Sequence, residues 1–557
     1  MAGLPSLTGF THIRAANRPA EDELCTQHKD VRIGPTFPSR WFWGLTLGGS
    51  ALVLALYWLT DIPLGIPGQW TWGRHDATPD LTANLILGAM VASAYLAFVS
   101  WGGRRLARPE CRRVEVCGWL IGLAVVAAVW IVTAQGTGTS GATIGRWPFV
   151  LYYPSSSGYF FRARFESPHA REFLRNYESL MQEGDVLHTG THPPGLFLFF
   201  HGLIGIARHN QEWFSAINDT QPAAVREAFD VIDGERRQAI ANGDWRTPPL
   251  TAGDRAMIWI TGLIGLGLAA ATVWPLYGFL RFDLDRSTSW LCAAAWPLVP
   301  AIGVFLPKSD VAFAGFAMLT ATLWRHAWRK SNFVTAMLAG GVWTVGLLCS
   351  LAFLPVALWL AIVTLCEAWP ELRAGRWRNI LSRSLWTIVP AGLIFLAIMA
   401  ALSVWGEVSL WKVYWWNYHN HAGFYRQYPR SYLGWLAVNP LELVGAVGFP
   451  IFVAAALGIG VELRAWRRGL SSPLLAPCLA TLIVWSWLWL SGKNSGEAAR
   501  LWIFLLPGVV SCAAAWWMPR GESLPHNSSQ RVILAWLLCQ AVVCLLTVQR
   551  ISGFPLG

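Results

Sequence analysis

Long apolar runs alternate with short polar segments along almost the whole chain. A helix needs about twenty apolar residues to cross a bilayer. Runs approaching that length are expected at 41–60, 83–101, 116–134, 256–280, 288–306, 310–325, 333–349, 351–369, 384–405, 441–461, 474–491, 500–517 and 532–549, with a shorter one at 196–208. The pattern predicts an all-α polytopic membrane protein with about 13 transmembrane helices. A polar N-terminal tail at 1–40 would precede a single transmembrane domain at 41–557.

The charges between the runs give that bundle a direction. Cytoplasmic loops collect Arg and Lys. Arg104, Arg105, Arg108, Arg112 and Arg113 therefore place the second loop inside, as do Arg325, Arg329 and Lys330, then Arg373 to Arg383, then Arg464, Arg467 and Arg468. The tail at 1–40 comes out cytoplasmic. Between Arg113 and Arg325 the count of runs is odd, whereas two inside loops require an even number. The run at 196–208 is the shortest, so it is expected to be re-entrant or partly inserted. The outer face then holds four polar segments: 61–82, 135–195, 209–254 and 406–433. Within them, Phe173, Leu174, Tyr177, Leu180 and Met181 repeat at helical spacing behind a Ser167–Pro168 start, and Ala223–Ile240 is amphipathic. Both predict helices lying on the membrane surface.

Composition agrees with this class. The chain is 54% hydrophobic and 13% charged, against roughly 25% charged in a soluble domain. A net charge of +11 would suggest nucleic acid in a soluble protein. Here the cations sit in short loops, so topology accounts for them and no nucleic-acid partner is expected. Many of the 35 Trp, such as Trp41, Trp43, Trp324, Trp516 and Trp517, fall at run ends, where amphipathic rings favour the interface. The ten Cys show no C-x-x-C and no metal-ligand spacing. The polar N-terminus is too long for a signal-peptide n-region, so the first run should act as an uncleaved anchor.

Chemistry gathers at the outer ends of the runs. DVLHTGTHPPG, residues 185–195, brings Asp185, His188, Thr191 and His192 to the point where the chain enters the short run, behind two prolines suited to a helix start. Titratable groups at a membrane boundary are expensive and mark function, although Thr191 alone reads as a helix N-cap. Lys308, Ser309 and Asp310 open the seventh run. Ser309 reads as a cap and Asp310 suits the helix dipole, and Lys308 and Asp310 together are candidate ligands. Glu497 and Arg500, spaced i, i+3, open a late run, where Arg500 could hold a phosphate with its planar fork. The fourth outer segment interleaves Trp416, His419 and His421 with Tyr and Asn. Such a surface suits the apolar faces and polar edges of a sugar, or else an aromatic belt.

Taken in order, the Thr191–Gly195 run, the Pro307–Asp310 turn, the Gly496–Leu501 turn and the large outer loop resemble the GT-C class of integral-membrane glycosyltransferases. Within it they are most similar to the family grouped with protein O-mannosyltransferases and bacterial aminoarabinose transferases. The resemblance covers about residues 115–520. It implies a GT-C-like bundle in a bacterial-type inner membrane. It also implies transfer of a sugar from a polyprenyl-phosphate donor to a lipid, glycan or protein acceptor at the outer face. His192, Arg500 and Lys308 would hold the donor phosphate, with His188, Thr191, Asp310, Glu497, Trp416, His419 and His421 around the substrates. No cofactor is called for, and a divalent metal ion is left open. Members usually carry an acid early in the first large outer loop, where this chain has Tyr153–Gly158 without one. Asp61, Glu166 and Asp185 are the substitutes. Asp185, nearest in sequence to the His run, is the first choice as general base and Glu166 the second. A transporter or flippase of a lipid-linked or amphipathic solute is the rival reading, and a membrane scaffold a third. A transporter should carry charges mid-span, whereas runs such as 256–280 and 532–549 have none at their centres.

Overall fold

The computed structural model describes residues 40–76, 80–136, 143–186, 189–245, 248–470, 472–518 and 526–553. The chain is a multi-pass, α-helical membrane protein. Among the described residues nine helices are long and apolar enough to cross a bilayer: Arg40–Trp58, Leu81–Leu106, Arg113–Gly136, Ala252–Leu280, Arg286–Phe305, Phe353–Arg373, Trp377–Gly406, Phe449–Arg467 and Ser528–Arg550. Shorter apolar helices follow the same pattern at Gly195–His209, Phe333–Cys349, Tyr432–Val447, Leu475–Leu490 and Ile503–Trp517. Small residues let some of these backbones meet, as is usual between helices in lipid. A Cβ on Gly458 would lie 2.1 Å from the carbonyl oxygen of Cys512, so only Gly permits Phe449–Arg467 to approach Leu506–Trp517 this closely.

Polar contacts sort the connecting segments into two ends. At one end Arg105 pairs with Glu115 at 2.7 Å, and Arg286 donates to the Cys111 carbonyl at 2.9 Å. Nearby, Arg325, only 2% exposed, bridges Asp283 at 2.5 Å and Glu367 at 2.6 Å. Arg383 pairs with Glu371. Apart from the turn holding Asp283 and Arg286, these come from segments grouped together by their arginines. At the opposite end the four long polar segments meet. Gln69 accepts from the Ser431 amide at 2.8 Å and from Trp435 Nε1 at 2.9 Å. Arg171 and Arg175 both reach Glu407 at 2.8 Å. Arg164 pairs at 2.6 Å with Asp254, which is buried in a capping box with Thr251.

Several local expectations are corrected. The first outer segment, whose internal structure the pattern left open, holds a hairpin over residues 64–74. Leu64–Ile66 pairs antiparallel with Trp70–Arg74, and Ile551–Ser552 adds a third strand. Pro67 and the left-handed Gly68 occupy the central positions of the turn. The third strand ties the end of the last long helix to the hairpin, at the loop end. The run at 441–461 is two helices, Tyr432–Val447 and Phe449–Arg467, broken at Gly448 with φ 86° and ψ 134°. That conformation excludes a side chain, and a Cβ there would also strike Gln540. The surface helix starts at Ala170 behind His169, not at Ser167–Pro168, and divides at Asn176 into Ala170–Arg175 and Tyr177–Gln182. The short helix Gly195–His209 packs Phe197, Phe200 and His201 against Tyr159, Phe160 and Phe173 of the large loop. These ring contacts set it against the elements of the large loop.

Candidate functional site

The loop end encloses a cavity of about 280 Å³. Segments far apart in sequence line it, among them Thr191 and His192, Asp310, Tyr418 to Arg430, and Lys493 to Arg500. Phe504, which lines it, also borders a small apolar void of about 20 Å³ walled by Met318, Val356, Trp359 and Leu505.

The His-rich run is held from several directions. Asp185 Oδ2 accepts the Thr189 amide at 2.8 Å, closing a turn upon itself. The Tyr177 hydroxyl donates to the His192 carbonyl at 2.7 Å. Asn417 and Asn420 donate to the Gly190 carbonyl at 3.2 and 3.1 Å. Thr191 Oγ1 and His192 Nδ1 share a hydrogen bond of 3.0 Å, which orients the imidazole. The edge of Tyr159 packs on that ring, with centroids 5.8 Å apart.

Arg500 reaches the cavity through an unusual turn. Gly492, Asn494, Gly496 and Glu497 all have positive φ, from 61° to 75°. For Glu this costs on the order of 1–2 kcal/mol, and such strain concentrates at functional positions. The turn is secured where the Ser495 amide donates to the Tyr425 hydroxyl at 3.0 Å and Trp502 Nε1 to Asn494 Oδ1 at 3.2 Å. Glu497 then meets Arg500 Nη2 at 2.5 Å, while Asp310 Oδ2 stands 3.8 Å from Arg500 Nε. That Nε is buried and makes no hydrogen bond. Burial opposes the charge on Arg500, but Glu497 and Asp310 outweigh it and raise the pKa. Lys308 lies behind them in the Pro307–Ser309 turn. Burial pushes its pKa down to about 7, and Arg500 adds to the fall, while Asp310 and Glu497 resist it. The neighbouring Ser309 makes no capping hydrogen bond for the helix Asp310–Lys330.

The helix Leu410–Gln427 divides the aromatic segment by face. Tyr418, His421 and Tyr425, at i, i+3 and i+7, line the cavity. Asn417 and Asn420 turn to the His-rich run. His419 is exposed, with Trp416 packed edge-on beside it at 5.8 Å, and neither lines the cavity. His421 Nδ1 is buried without a hydrogen bond, and burial lowers its pKa.

The structure thus gathers Thr191, His192, Asp310, His421, Glu497 and Arg500, with Lys308 adjoining. It leaves out both expected bases. Asp185 closes its own turn, and Glu166, 44% exposed, pairs with Arg162 at 3.0 Å. Asp61 is exposed in the hairpin segment. His188 lies outside the described residues. Sequence reasoning missed Tyr159, Arg430 and Lys493, whose residue types carry no motif. Among the described residues no three His, Cys, Asp or Glu assemble as a metal-binding group. The two cavity carboxylates are engaged by Arg500, so these side chains offer no ready-made divalent-ion site. No family model, curated protein or solved structure matches the chain.

Proposed function

We propose that this chain is a GT-C-like glycosyltransferase, moving a sugar from a polyprenyl-phosphate donor to an acceptor hydroxyl at the outer face of a bacterial-type inner membrane. One observation carries the reading: His192, Asp310, Glu497 and Arg500, from three distant segments, share one cavity. The cavity suits the phosphate and sugar of the donor. Its charged residues sit at the end of the bundle, as catalysis on a membrane-anchored donor requires, rather than along a path through the middle, as transport would.

In this mechanism Arg500, His192 and Lys308 hold the phosphate, and Glu497 fixes the Arg500 fork. Asp310 replaces Asp185 and Glu166 as the general base, because it is the cavity carboxylate less tightly engaged by Arg500. Asp310 takes the proton of the acceptor hydroxyl. The oxygen attacks the anomeric carbon as its bond to the phosphate oxygen breaks, and polyprenyl phosphate leaves with the electron pair. The sugar is inverted.

The test uses proteoliposomes supplied with polyprenyl-phosphate-linked hexoses and pentoses and an envelope glycolipid extract as acceptor, with release of polyprenyl phosphate as readout. Wild type should release it. Asp310→Asn should bind the donor but release at least about a hundredfold less, the upper part of the range for loss of a general base. Undiminished release by Asp310→Asn would remove Asp310 as base. Failure of wild type to bind any of these donors would remove the transferase reading.

A further inference from the structure

The cations of the cavity are not evenly matched. Arg500 is neutralised by two carboxylates. Arg430 and Lys493 line the same cavity, and among the described residues neither has a carboxylate within ion-pair distance. Arg430 Nε and Nη1 are buried and make no hydrogen bond. Its guanidinium stands 6.0 Å from the ring of Trp435, and the Lys493 ammonium 5.4 Å from that of Tyr418. Burying donors of a fixed guanidinium without partners is costly, and aromatic faces offset it only in part.

Both cations are also held in place. Ser431, next to Arg430, is fixed by Gln69 of the hairpin. Lys493 sits in the turn of left-handed residues, which Tyr425 secures through the Ser495 amide. This is a prepared concavity of positive charge beside the Arg500 cluster and facing the same space, with Glu497 near enough to favour the charge on Arg430 without an ion-pair contact.

We infer that Arg430 and Lys493 form a second anion subsite, which selects an acceptor carrying a phosphate or carboxylate near the hydroxyl that receives the sugar. The inference rests on the transferase reading for the word acceptor, but not for the subsite. Arg430 supplies the two-donor fork that such oxyanions match, and Lys493 a point charge beside it. A neutral hydroxyl-bearing acceptor would leave both uncompensated.

Native mass spectrometry of the full chain in detergent separates the two ideas. The probes are a long-chain polyprenyl phosphate, glucose 6-phosphate, glucuronate and glucose. Wild type loaded with polyprenyl phosphate should also take up glucose 6-phosphate, glucuronate or both, at least tenfold more tightly than glucose. Which of them binds tells phosphate from carboxylate. R430Q/K493Q should lose that preference and keep polyprenyl phosphate within twofold. R430K/K493R should retain part of the preference, and this pair separates loss of the subsite from loss of the fold. Equal binding of the two anions and glucose by wild type would overturn the inference. So would loss of polyprenyl phosphate from R430Q/K493Q with its retention in Arg500→Gln, since the pair would then hold the donor. If wild type binds no polyprenyl phosphate but binds an anionic sugar through Arg430, the transferase reading fails and the subsite stands.

Discussion

Replacing Arg500 with Gln removes the charge that two carboxylates share. Its side chain is 19% exposed, and those of Asp310 and Glu497 are 21% and 20% exposed. At such a boundary a unit charge pair about 4 Å apart attracts by roughly 4 kcal/mol, taking an effective dielectric constant of about 20. Desolvation cancels part of this, and breaking one side of a buried pair typically costs about 3–5 kcal/mol. With a fifth of each side chain exposed, solvent screening brings the expected stability loss to the bottom of that range or just below it, about 2–3 kcal/mol. Catalysis would lose more. Removing one preorganised donor from a developing anion lowers kcat by about 10²–10³. The two effects separate in a double variant. In Arg500→Gln/Glu497→Gln one uncompensated carboxylate is gone, so thermal stability in detergent should recover by a kilocalorie or more, about half the loss. Turnover should stay as low as in the single variant. Arg500→Lys should keep most of the stability and only part of the turnover, because a point charge replaces the fork. The assay pairs a melting curve with single-turnover release of polyprenyl phosphate. Arg500→Gln turnover within a few-fold of wild type, or its rescue by Glu497→Gln, would show that Arg500 serves the fold alone.

Two further outcomes are expected. Lys308, with a folded pKa of about 7 against an ordinary 10.5, is protonated in both states below that pH and neutral only in the folded state above it. The unfolded chain therefore binds more protons between the two values, so stability should rise with pH across that window. Affinity for a polyprenyl phosphodiester should instead fall as pH passes about 7, and both slopes should flatten in Lys308→Met; a wild type without either slope would contradict the placement of Lys308. For sidedness, single cysteines at Ala107 and Ser155, both exposed, sit at opposite ends of the bundle. In intact cells a membrane-impermeant maleimide should label the one at Ser155 and reach the one at Ala107 only after permeabilisation, and the reverse pattern would invert the orientation.

Which loops share an end was partly readable because arginines near membrane crossings obey a rule that acts locally. Arg105, Arg325 and Arg383 were each grouped from their own loop, and the Asp283–Arg286 turn, which was not, links the loops of Arg105 and Arg325. The break at Gly448 was not readable, because the apolar pattern continues through it and only the backbone conformation of one residue interrupts the helix. The hairpin carried a Pro67–Gly68 turn signal, but its third strand, Ile551–Ser552, comes from the far end of the sequence and no local pattern announces the pairing.

The site divides along the same line. His192, Asp310, Glu497 and Arg500 could be found separately, because each is a polar residue placed where an apolar helix begins and hydration is being lost. Their meeting is a tertiary fact. Where the expected bases stand relative to the cavity was out of reach of the sequence for that reason. Asp185 is close to His192 along the chain, yet a short Asp-led loop is the geometry in which a carboxylate turns back onto its own backbone, and Asp185 does so at the Thr189 amide. Asp310 arrives from another helix and has Arg500, not its own loop, as its partner. Arg430 and Lys493 were overlooked for the opposite reason. In a loop a cation reads as solvated, and only the packing of Trp435, Tyr418 and Tyr425 around that rim makes the charge one that a ligand must answer. Proximity in sequence is therefore a poor guide to a general base when short polar loops satisfy themselves. Charge left unmatched after the fold has closed is the better guide to what the cavity binds.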